Sequence, residues 1–355
     1  MTQPPVYATR EDVQRALDVK LTARNSTQID RALQSASRGI EGLCHRRFYP
    51  ETATKYFDWP DSQYGTSWRL WLDDSELISV TTLSSGGTTI AASDYNLEPN
   101  RTGPPYNRIE VKLSTSAAFG GGDTHQRDIT VTGLFGYRND ETTVGALTEA
   151  LDASETAVDV NAATSAVVGV GSVLRVDSER MLVTGRQMLD TGQNLGGAGL
   201  TIQPNNVTVT VTDGTAYTVD EILLIDSERM LIVDIAGNNL TVIRAWDGSL
   251  IAAHSAGADI YAARTLTVTR GALGTTAATH DSGASVVRWD PPGLVRDLTI
   301  AETINRITNE QAGYARTRRT GENRSNDQAL TARDLPSLRD QVYAAHGRKA
   351  RTRAV

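Results

Sequence analysis

The segment Leu174-Arg-Val-Asp-Ser-Glu-Arg-Met-Leu-Val183 returns 49 residues later as Leu223-Leu-Ile-Asp-Ser-Glu-Arg-Met-Leu-Ile232. A second pair follows: Arg244-Ala-Trp-Asp-Gly248 and its continuation to Ala258 match a stretch that begins at Arg270, 26 residues further on. Such self-similarity marks a repeated supersecondary unit, and the β-branched residues beside both pairs favour strands. We therefore predict an inserted all-β domain, built from hairpin repeats, over residues 141–290.

Two helices are predicted before this domain. Thr9 and Asp12 have the spacing of a capping box, and so have Thr27 and Asp30. After the second start the apolar residues recur at intervals of three and four, which makes one stripe along a helix. The stripe consists of Ile29, Leu33, Ala36, Ile40 and Leu43.

Residues 48–135 change to short runs of large residues with period two, separated by glycine and proline turns, which predicts a small β region. The helical period returns after Pro291-Pro292, and the polar, Arg-rich residues 315–334 are typical of a flexible linker. The fold class is therefore predicted to be α+β, a small helical bundle with a β region plus the inserted all-β domain.

The predicted domains follow from these changes of pattern. They are a core of N-terminal helices and β region at 1–140, the β-repeat domain at 141–290, a C-terminal core helix at 291–320 and a basic tail at 321–355. The end of the tail, from Leu335, is predicted to form a short helix that is marginal unless it docks on a partner.

Charge is distributed unevenly along the chain. The formal net charge is −7, from 35 Lys and Arg against 42 Asp and Glu. Residues 314–355 carry ten basic and four acidic residues, a net of +6, so the other 313 residues carry −13. The acidic total argues against a dedicated nucleic-acid binder, and a basic end on an acidic body indicates that this end docks onto a partner.

Several other classes of protein are disfavoured. The single cysteine, Cys44, allows no intrachain disulfide framework and is expected to pack in a helix. No stretch approaches the roughly 20 apolar residues of a membrane span, and the first residues lack the basic and apolar regions of a signal peptide. We expect a soluble chain that is made in a cytoplasm and contacts no membrane.

The Asp-Ser-Glu triplets at 177–179 and 226–228 place two carboxylates on one strand face, as a glycosidase requires. The alternative is a hairpin turn with surface ion pairs to Arg180 and Arg229. We favour the turn, because a structural turn recurs in every repeat whereas a catalytic pair rarely does.

His254 and His280 occupy matched repeat positions, yet no further metal ligand follows at the required spacing. Hydrogen bonds that close the loops beside Gly257 and Gly283 are expected instead. The glycine triplet at 120–122 is not followed by the Lys-Ser or Lys-Thr of a phosphate loop. The sequence thus predicts no catalytic residue, no cofactor, no metal and no enzymatic activity.

The C-terminal tail is the candidate binding segment, because apolar anchors precede its basic run. Docking into a protein groove is favoured over direct contact with nucleic acid and over a solvated, disordered terminus. The predicted docking residues are Leu335, Leu338, Val342, Tyr343, Arg348, Lys349, Arg351 and Arg353.

Several segments outside the repeats together resemble the pattern of a known protein family. They begin with Ile40-Glu-Gly-Leu-Cys-His-Arg-Arg-Phe-Tyr-Pro50 and Tyr56-Phe-Asp-Trp59, and continue with Leu77-Ile-Ser-Val-Thr-Thr-Leu83. Together with the helix after Pro291-Pro292, these segments resemble the head-to-tail adaptor (connector) family of long-tailed bacteriophages. The resemblance covers roughly residues 7–140 and 290–320, a little under half the chain, and none of its motifs is catalytic.

The resemblance implies a homo-oligomeric ring, commonly of twelve copies, that binds beneath the portal protein in the virion neck. Such a ring extends the channel through which viral DNA passes without sequence-specific binding, and it offers a platform to the next neck or tail protein. The segment that engages the portal would correspond here to about residues 314–355. Simple adaptors are much shorter and lack anything like residues 141–290.

A second hypothesis from another class is a phage structural binding module. In that case the β insert recognises a tail protein or a host-surface carbohydrate, and the helices only anchor it. A glycosidase that uses the Asp-Ser-Glu carboxylates is the third and least favoured hypothesis.

Overall fold

The computed structural model describes residues 4–17, 23–60, 66–101, 103–311 and 327–348. These residues divide into two compact units. The first unit combines the described residues of 1–40, 141–272 and 276–340, and the second those of 41–140, 273–275 and 341–355.

The described ranges up to residue 135 contain two α-helices and seven strands. They are α1 (Arg10–Leu17), α2 (Ala23–Cys44), β1 (Glu51–Phe57), β2 (Arg69–Trp71), β3 (Leu77–Ser85), β4 (Thr88–Thr89), β5 (Tyr95–Glu98), β6 (Arg108–Val111) and β7 (Ile129–Phe135).

The later elements are mostly strands. They are β8 (Glu141–Ala146), β9 (Ala157–Asp159), α3 (Ala162–Val167), β10 (Val173–Val176), β11 (Glu179–Asn194), β12 (Thr208–Thr210), β13 (Ile222–Ile225), β14 (Glu228–Ala236), β15 (Asn239–Ile243), β16 (Asp259–Thr269), β17 (Ser285–Trp289), α4 (Gly293–Gln311) and α5 (Asp327–His346).

The second unit holds the predicted small β region as two antiparallel sheets, with strand orders β1-β7-β3-β4 and β2-β6-β5. Strand β7 alternates between buried and half-buried residues along its length, as a strand with one face on a core does. Leu77, Leu83, Ile109, Ile129 and Val131 are among the buried residues of the shared core.

A ten-stranded antiparallel sheet runs through the first unit, in the order β12-β15-β14-β13-β16-β11-β10-β17-β8, with β9 paired to β16. Its two longest strands are β11 and β16, which pair from Leu182 opposite Thr269 to Asn194 opposite Asp259. Three register shifts interrupt this pairing. The two strands therefore form one continuous ribbon through the domain.

Strands β11 and β16 run through two modules that have the same strand pairing. In sequence, one module is inserted into the other. We call residues 141–186 with 263–290 the outer module and residues 187–262 the inner module. In the outer module β10 pairs with β11, with Val176 opposite Glu179, and in the inner module β13 pairs with β14, with Ile225 opposite Glu228.

The two modules also have matched cores. In the outer module Leu174, Val176, Met181, Val183, Leu266, Val268 and Val286 are buried together. Their counterparts in the inner module are Leu223, Ile225, Met230, Ile232, Leu240, Val242 and Ile260. The first four of these inner residues lie 49 positions after their outer counterparts, and the last three lie 26 positions before theirs. The two cores therefore follow the same two offsets as the sequence repeats.

The helices of the first unit share a smaller apolar cluster. It includes Val13 of α1, Ile29 and Leu33 of α2 and Ile307 of α4. The predicted capping box at the start of α1 is confirmed, because the Thr9 amide donates to the Asp12 carboxylate and the Asp12 amide donates to the Thr9 hydroxyl. The apolar stripe of α2 is confirmed as buried at Ile29, Leu33, Ala36 and Ile40, with Leu43 half-buried.

The predicted α+β fold with a small helical bundle is wrong. The described chain is mostly β-sheet, with seventeen strands and only five α-helices. The physical reason is where the apolar side chains pack: three large core clusters are built mainly from strand residues, and one small cluster from helices. Helical stripes at both ends of the sequence suggested a bundle, but pairing between strands forms most of the core.

Two other predictions differ in detail. Helix α2 begins at Ala23, before the predicted start at Thr27. The last helix begins at Asp327, inside the predicted linker, and residues 315–326 of that linker lie outside the described residues.

The methionine at the matched position of each module tests whether the two cores contribute equally to stability. Met181 and Met230 are both fully buried, so we expect Met181→Ala and Met230→Ala each to lower the free energy of unfolding by about 2–5 kcal/mol. Val233→Ala, at an exposed position of β14, is the control and should change it by less than about 0.5 kcal/mol. Urea unfolding measures all three, and a large loss in only one methionine variant would contradict equivalent cores.

Candidate functional site

Each module encloses a cluster of four polar side chains at the turn of its hairpin. In the outer module the carboxylate of Glu179 accepts hydrogen bonds from Nε of Arg270 at 2.7 Å and from its Nη2 at 2.8 Å. His280 lies between the two carboxylates, with Nε2 2.9 Å from Glu179 and Nδ1 2.7 Å from Asp177. The Asp-Ser-Glu triplet is thus joined to a histidine and an arginine that are about a hundred residues away in sequence.

The inner module repeats this cluster with the same atoms. Both Nε and Nη2 of Arg244 lie 2.7 Å from the oxygens of Glu228. His254 places Nε2 2.9 Å from Glu228 and Nδ1 2.6 Å from Asp226. The sequence repeat is therefore also a repeat of one polar network.

The local backbone explains how the triplet forms its turn. Asp177 and Asp226 both adopt left-handed backbone angles, with φ of 50° and 51°, a conformation that aspartate tolerates better than most residues. The following glutamate begins the next strand and points into the core, where Glu179 and Glu228 have no exposed surface. The aspartate stays at the surface and the glutamate is buried, so the two carboxylates do not share one environment.

The arginine stands at the end of a strand, and the loop after it returns to the histidine. Arg270 also donates to the carbonyl groups of Asp152, Glu155 and Ala278. Arg244 likewise donates to the carbonyl groups of Thr201, Asn206 and Ala252. Each guanidinium thus joins the hairpin to two loops that the sequence keeps far apart.

Both buried glutamates are saturated with hydrogen-bond donors. Glu179 accepts from Arg270, from His280 and from the backbone amides of Gly271 and Ala278. In the inner module Glu228 accepts the matching amides, those of Ala245 and Ala252. Five donor contacts occupy the two carboxylate oxygens, which leaves no lone pair directed at a substrate.

The electrostatics keep these carboxylates ionised. Burial by itself raises the pKa of Glu179, but the hydrogen bonds from Arg270, Ala278, Gly271 and His280 together outweigh it and lower that pKa to about 2. The pKa of Glu228 is lowered to about 2 by the same balance. A glycosidase acid requires a raised pKa, so neither glutamate has the property that this role needs.

The predicted surface ion pairs of the triplets are wrong. Glu179 and Glu228 pair inside the modules with Arg270 and Arg244, while Arg229 binds Asp247 at 2.7 Å. Arg180 is itself buried and lies 3.9 Å from Glu141. The adjacent arginine points away because neighbouring residues of a strand face opposite sides of the sheet.

The histidines were predicted to close loops beside Gly257 and Gly283. Their backbones do bridge to Leu200 and Leu151, but their rings bind the carboxylates. Among the described residues, no three His, Cys, Asp or Glu side chains are arranged so that they could hold a metal ion.

The two arginines of the clusters were missed as site residues. Arg244 and Arg270 open the second sequence repeat, so their matched positions were visible, but nothing in the sequence indicates that they reach the Asp-Ser-Glu turns.

The predicted docking residues of the tail lie partly inside the fold. Leu335 and Val342 are buried, Leu338 is half-buried and Tyr343 is 42% exposed. The Arg348 amide donates to the Cys44 carbonyl at 2.9 Å. Lys349, Arg351 and Arg353 lie outside the described residues.

The first unit contains a cleft of about 420 Å³. Its lining is mostly apolar and includes Val6, Leu33, Val170 and Leu182. Asp30 also lines it, but both of its carboxylate oxygens are held by Arg10. The cleft thus lacks the converging free polar groups that orient a small ligand.

Comparison of the chain with protein-family models, with curated protein sequences and with solved structures yields no match. Of the helices in the described ranges, none combines the length and the hydrophobicity of a bilayer span.

Removing the charge of the buried glutamate in either cluster should destabilise the fold. We expect Glu228→Gln and Glu179→Gln each to lower the free energy of unfolding by about 3–5 kcal/mol, because each leaves a buried guanidinium without its counter-charge. Asp226→Asn and Asp177→Asn alter exposed members of the same clusters and should cost less than about 1 kcal/mol. Urea unfolding compares the four variants, and equal costs within a cluster would show that the glutamate is not its centre.

Acid should destabilise the chain through these glutamates. Their folded pKa of about 2 lies below the usual glutamate pKa of 4.5, so their contribution to stability is present above about pH 4.5 and is lost as the pH falls towards 2. We expect the free energy of unfolding to fall across this interval. The double variant Glu179→Gln/Glu228→Gln should show a shallower fall in the same titration, and an unchanged slope would assign the acid sensitivity to other groups.

Proposed function

We propose that the chain is a non-catalytic structural protein of the phage neck, a ring-forming head-to-tail adaptor located in the virion between portal and tail. The observation that carries this proposal is the separation of charge, with −13 on the body and +6 on residues 314–355. The resemblance of residues 7–140 and 290–320 to connector proteins supports the same conclusion.

An acidic body suits a channel for DNA. Basic walls would hold each phosphate and slow the passage of the genome, whereas acidic or neutral walls do not bind it. A ring of such bodies would extend the portal channel without sequence-specific contacts to the viral DNA.

The basic end suits attachment to the portal. Tyr343 is the exposed apolar anchor of the predicted docking set, and the basic run follows it. Leu335 and Val342 are buried in this chain, so they would support the helix from within and Tyr343 would contact the partner. In a symmetric ring, many weak contacts of this kind add to strong avidity.

The polar clusters favour a structural role for the β modules over an enzymatic one. Both carboxylate oxygens of Glu179 and both of Glu228 are engaged in holding a turn to a loop. A binding module is the second candidate, in which the inner module recognises a tail protein or a host-surface carbohydrate. It is favoured by the exposed apolar residues of that module.

The oligomeric state tests the ring. Negative-stain electron microscopy and native mass measurement of the full chain, alone and with purified portal, should show closed rings, about twelvefold as is common for connectors. A chain that stays monomeric at all concentrations and does not bind the portal would overturn the proposal.

The attachment segment is tested separately. We expect removal of residues 349–355 together with Tyr343→Ala to weaken portal binding at least about tenfold, because the cationic run and its apolar anchor are lost. Tyr56→Ala changes a comparably exposed tyrosine of the same unit and should leave binding unchanged. Equal binding of all variants would place the portal contact elsewhere.

A further inference from the structure

In the outer module, the sheet face opposite the core is covered by other parts of the same chain. Leu182 and Thr269 lie opposite each other in the sheet, so their side chains share this face. Both line the 420 Å³ cleft together with Val6, which precedes α1, and Leu33 of α2. The face is therefore a binding surface inside the first unit, and residues 4–17, which we call the N-terminal segment, are one of its occupants.

Backbone hydrogen bonds fix the N-terminal segment to the edge of this face. The amide of Arg10 donates to the carbonyl of Val170 at 3.0 Å, and the amide of Val170 donates to the carboxylate of Glu11 at 2.8 Å. Val170 precedes a turn in which the amide of Gly171 donates to the carbonyl of Val183. One backbone position thus binds both the first residue of a helix and the carboxylate that follows it.

The inner module has the equivalent face in the same conformation. Leu231 lies opposite Ile243 in the sheet, which is the pairing of their outer counterparts. The amide of Asp220 donates to the carbonyl of Ile232, which repeats the turn at Gly171. Both strand pairs also have a register shift at the matching position, just after Ile232 in the inner module. The inner residues that match the lining of the cleft therefore lie on one surface.

Three apolar residues of this inner surface are exposed. They are Val219 at 40%, Val233 at 40% and Ile243 at 45%. Their outer counterparts are Val170, Thr184 and Thr269. Two threonines are thus replaced by more apolar residues on the module whose face is uncovered, which is the opposite of what solvent exposure favours.

The backbone of the inner surface is uncovered as well. Trp246 packs on the neighbouring apolar residues Ile222 and Leu231, but it does not bond the turn beside them. Within the described part of the chain, no hydrogen bond reaches the amide or the carbonyl of Val219. Both groups that hold the N-terminal segment at Val170 are therefore available at Val219.

One matched position shows that the occupant of the inner surface differs from the N-terminal segment. A Cβ built on Gly171 would lie 2.5 Å from Cγ2 of Val6, which is too close for two carbon atoms. The inner module has the exposed Asp220 at this position. A copy of the N-terminal segment would therefore collide with Asp220, whereas a segment with a basic side chain in place of Val6 would pair with its carboxylate.

We infer that the surface formed by Val219, Asp220, Val233 and Ile243 binds the beginning of a helix of a partner protein, with a basic residue where the N-terminal segment has Val6. The apolar side chains supply the buried contact, the backbone of Val219 supplies two hydrogen bonds, and Asp220 selects the cationic partner. A second copy is disfavoured as the occupant, because its N-terminal segment carries Val6 and already lies on its own outer module.

This inference rests on the proposed function only for the identity of the partner, which would be the next neck or tail protein. The surface itself belongs to one chain, so it is tested without a ring or a portal. A failure of this test leaves the ring proposal standing, and a monomeric chain would leave this surface standing.

The test uses the full chain and two labelled synthetic peptides with the sequence of residues 4–17, one unchanged and one with Val6→Lys. Fluorescence anisotropy should show the lysine peptide binding at least about tenfold more tightly than the unchanged one, because the lysine avoids the collision and pairs with Asp220. The chain variant Val233→Thr/Ile243→Thr carries the outer residues and should weaken binding of the lysine peptide at least about tenfold.

The variant Asp220→Asn tests the charge, since asparagine tolerates the left-handed backbone of this position, where φ is 72°. It should weaken binding of the lysine peptide at least about threefold and reduce its dependence on salt. Leu113→Thr is the control, because Leu113 is 77% exposed and lies outside both modules, and it should leave binding unchanged.

Urea unfolding checks that each variant keeps its stability. Equal binding of the two peptides, no binding of the lysine peptide at about 1 mM, or unchanged binding by the folded double variant would overturn the inference. Concentration-dependent dimers that the double variant abolishes in analytical ultracentrifugation would also overturn it, in favour of a second copy as the occupant.

Discussion

The buried ion pair between glutamate and arginine is the interaction on which each module depends. Glu179 and Glu228 have no contact with water, and an ionised carboxylate in such a place is tolerated only with a counter-charge and a full set of donors. Arg270 and Arg244 provide the charge, and two backbone amides and a histidine complete the set. Because the donors come from the loop after the strand, the pair closes the loop onto the hairpin and fixes the module's end.

Much of the local structure could be predicted from the sequence. The capping box at Thr9, the stripe of α2 and the strands of the β region depend on neighbouring residues, which periodicity records. The fold class was predicted wrongly. The share of the core that sheets form depends on which strands pair across long stretches of sequence, and periodicity does not record that pairing. One clue to the nesting was present: the two Asp-Ser-Glu segments both precede the two Arg-to-His segments. That order excludes two complete modules side by side, but it does not say which segments belong together.

The site was predictable only in part, and for a related reason. The triplets and the histidines were recognisable as matched residues, and the turn at Asp177 followed from its composition. Their connection was not recognisable, because His280 meets Asp177 across about a hundred residues of chain and the inner module lies between them. Burial of the glutamate also could not be read from a charged triplet that looks like an exposed turn. The missed arginines show that a polar residue repeated at a fixed offset is better assigned to a network than to the surface.

The ribbon of β11 and β16 has a mechanical consequence. The inner module is attached to the outer module through two antiparallel strands that stay hydrogen-bonded from Leu182 opposite Thr269 to Asn194 opposite Asp259. A pull on the inner module along these strands is carried by two covalent backbones, because both strands run between the modules, and the hydrogen bonds hold the two backbones side by side between the three register shifts. The ion pair between Arg264 of the outer module and Glu221 of the inner module, at 2.7 Å, adds a side-chain link, so two backbones and one buried ion pair together restrict the movement of the inner module.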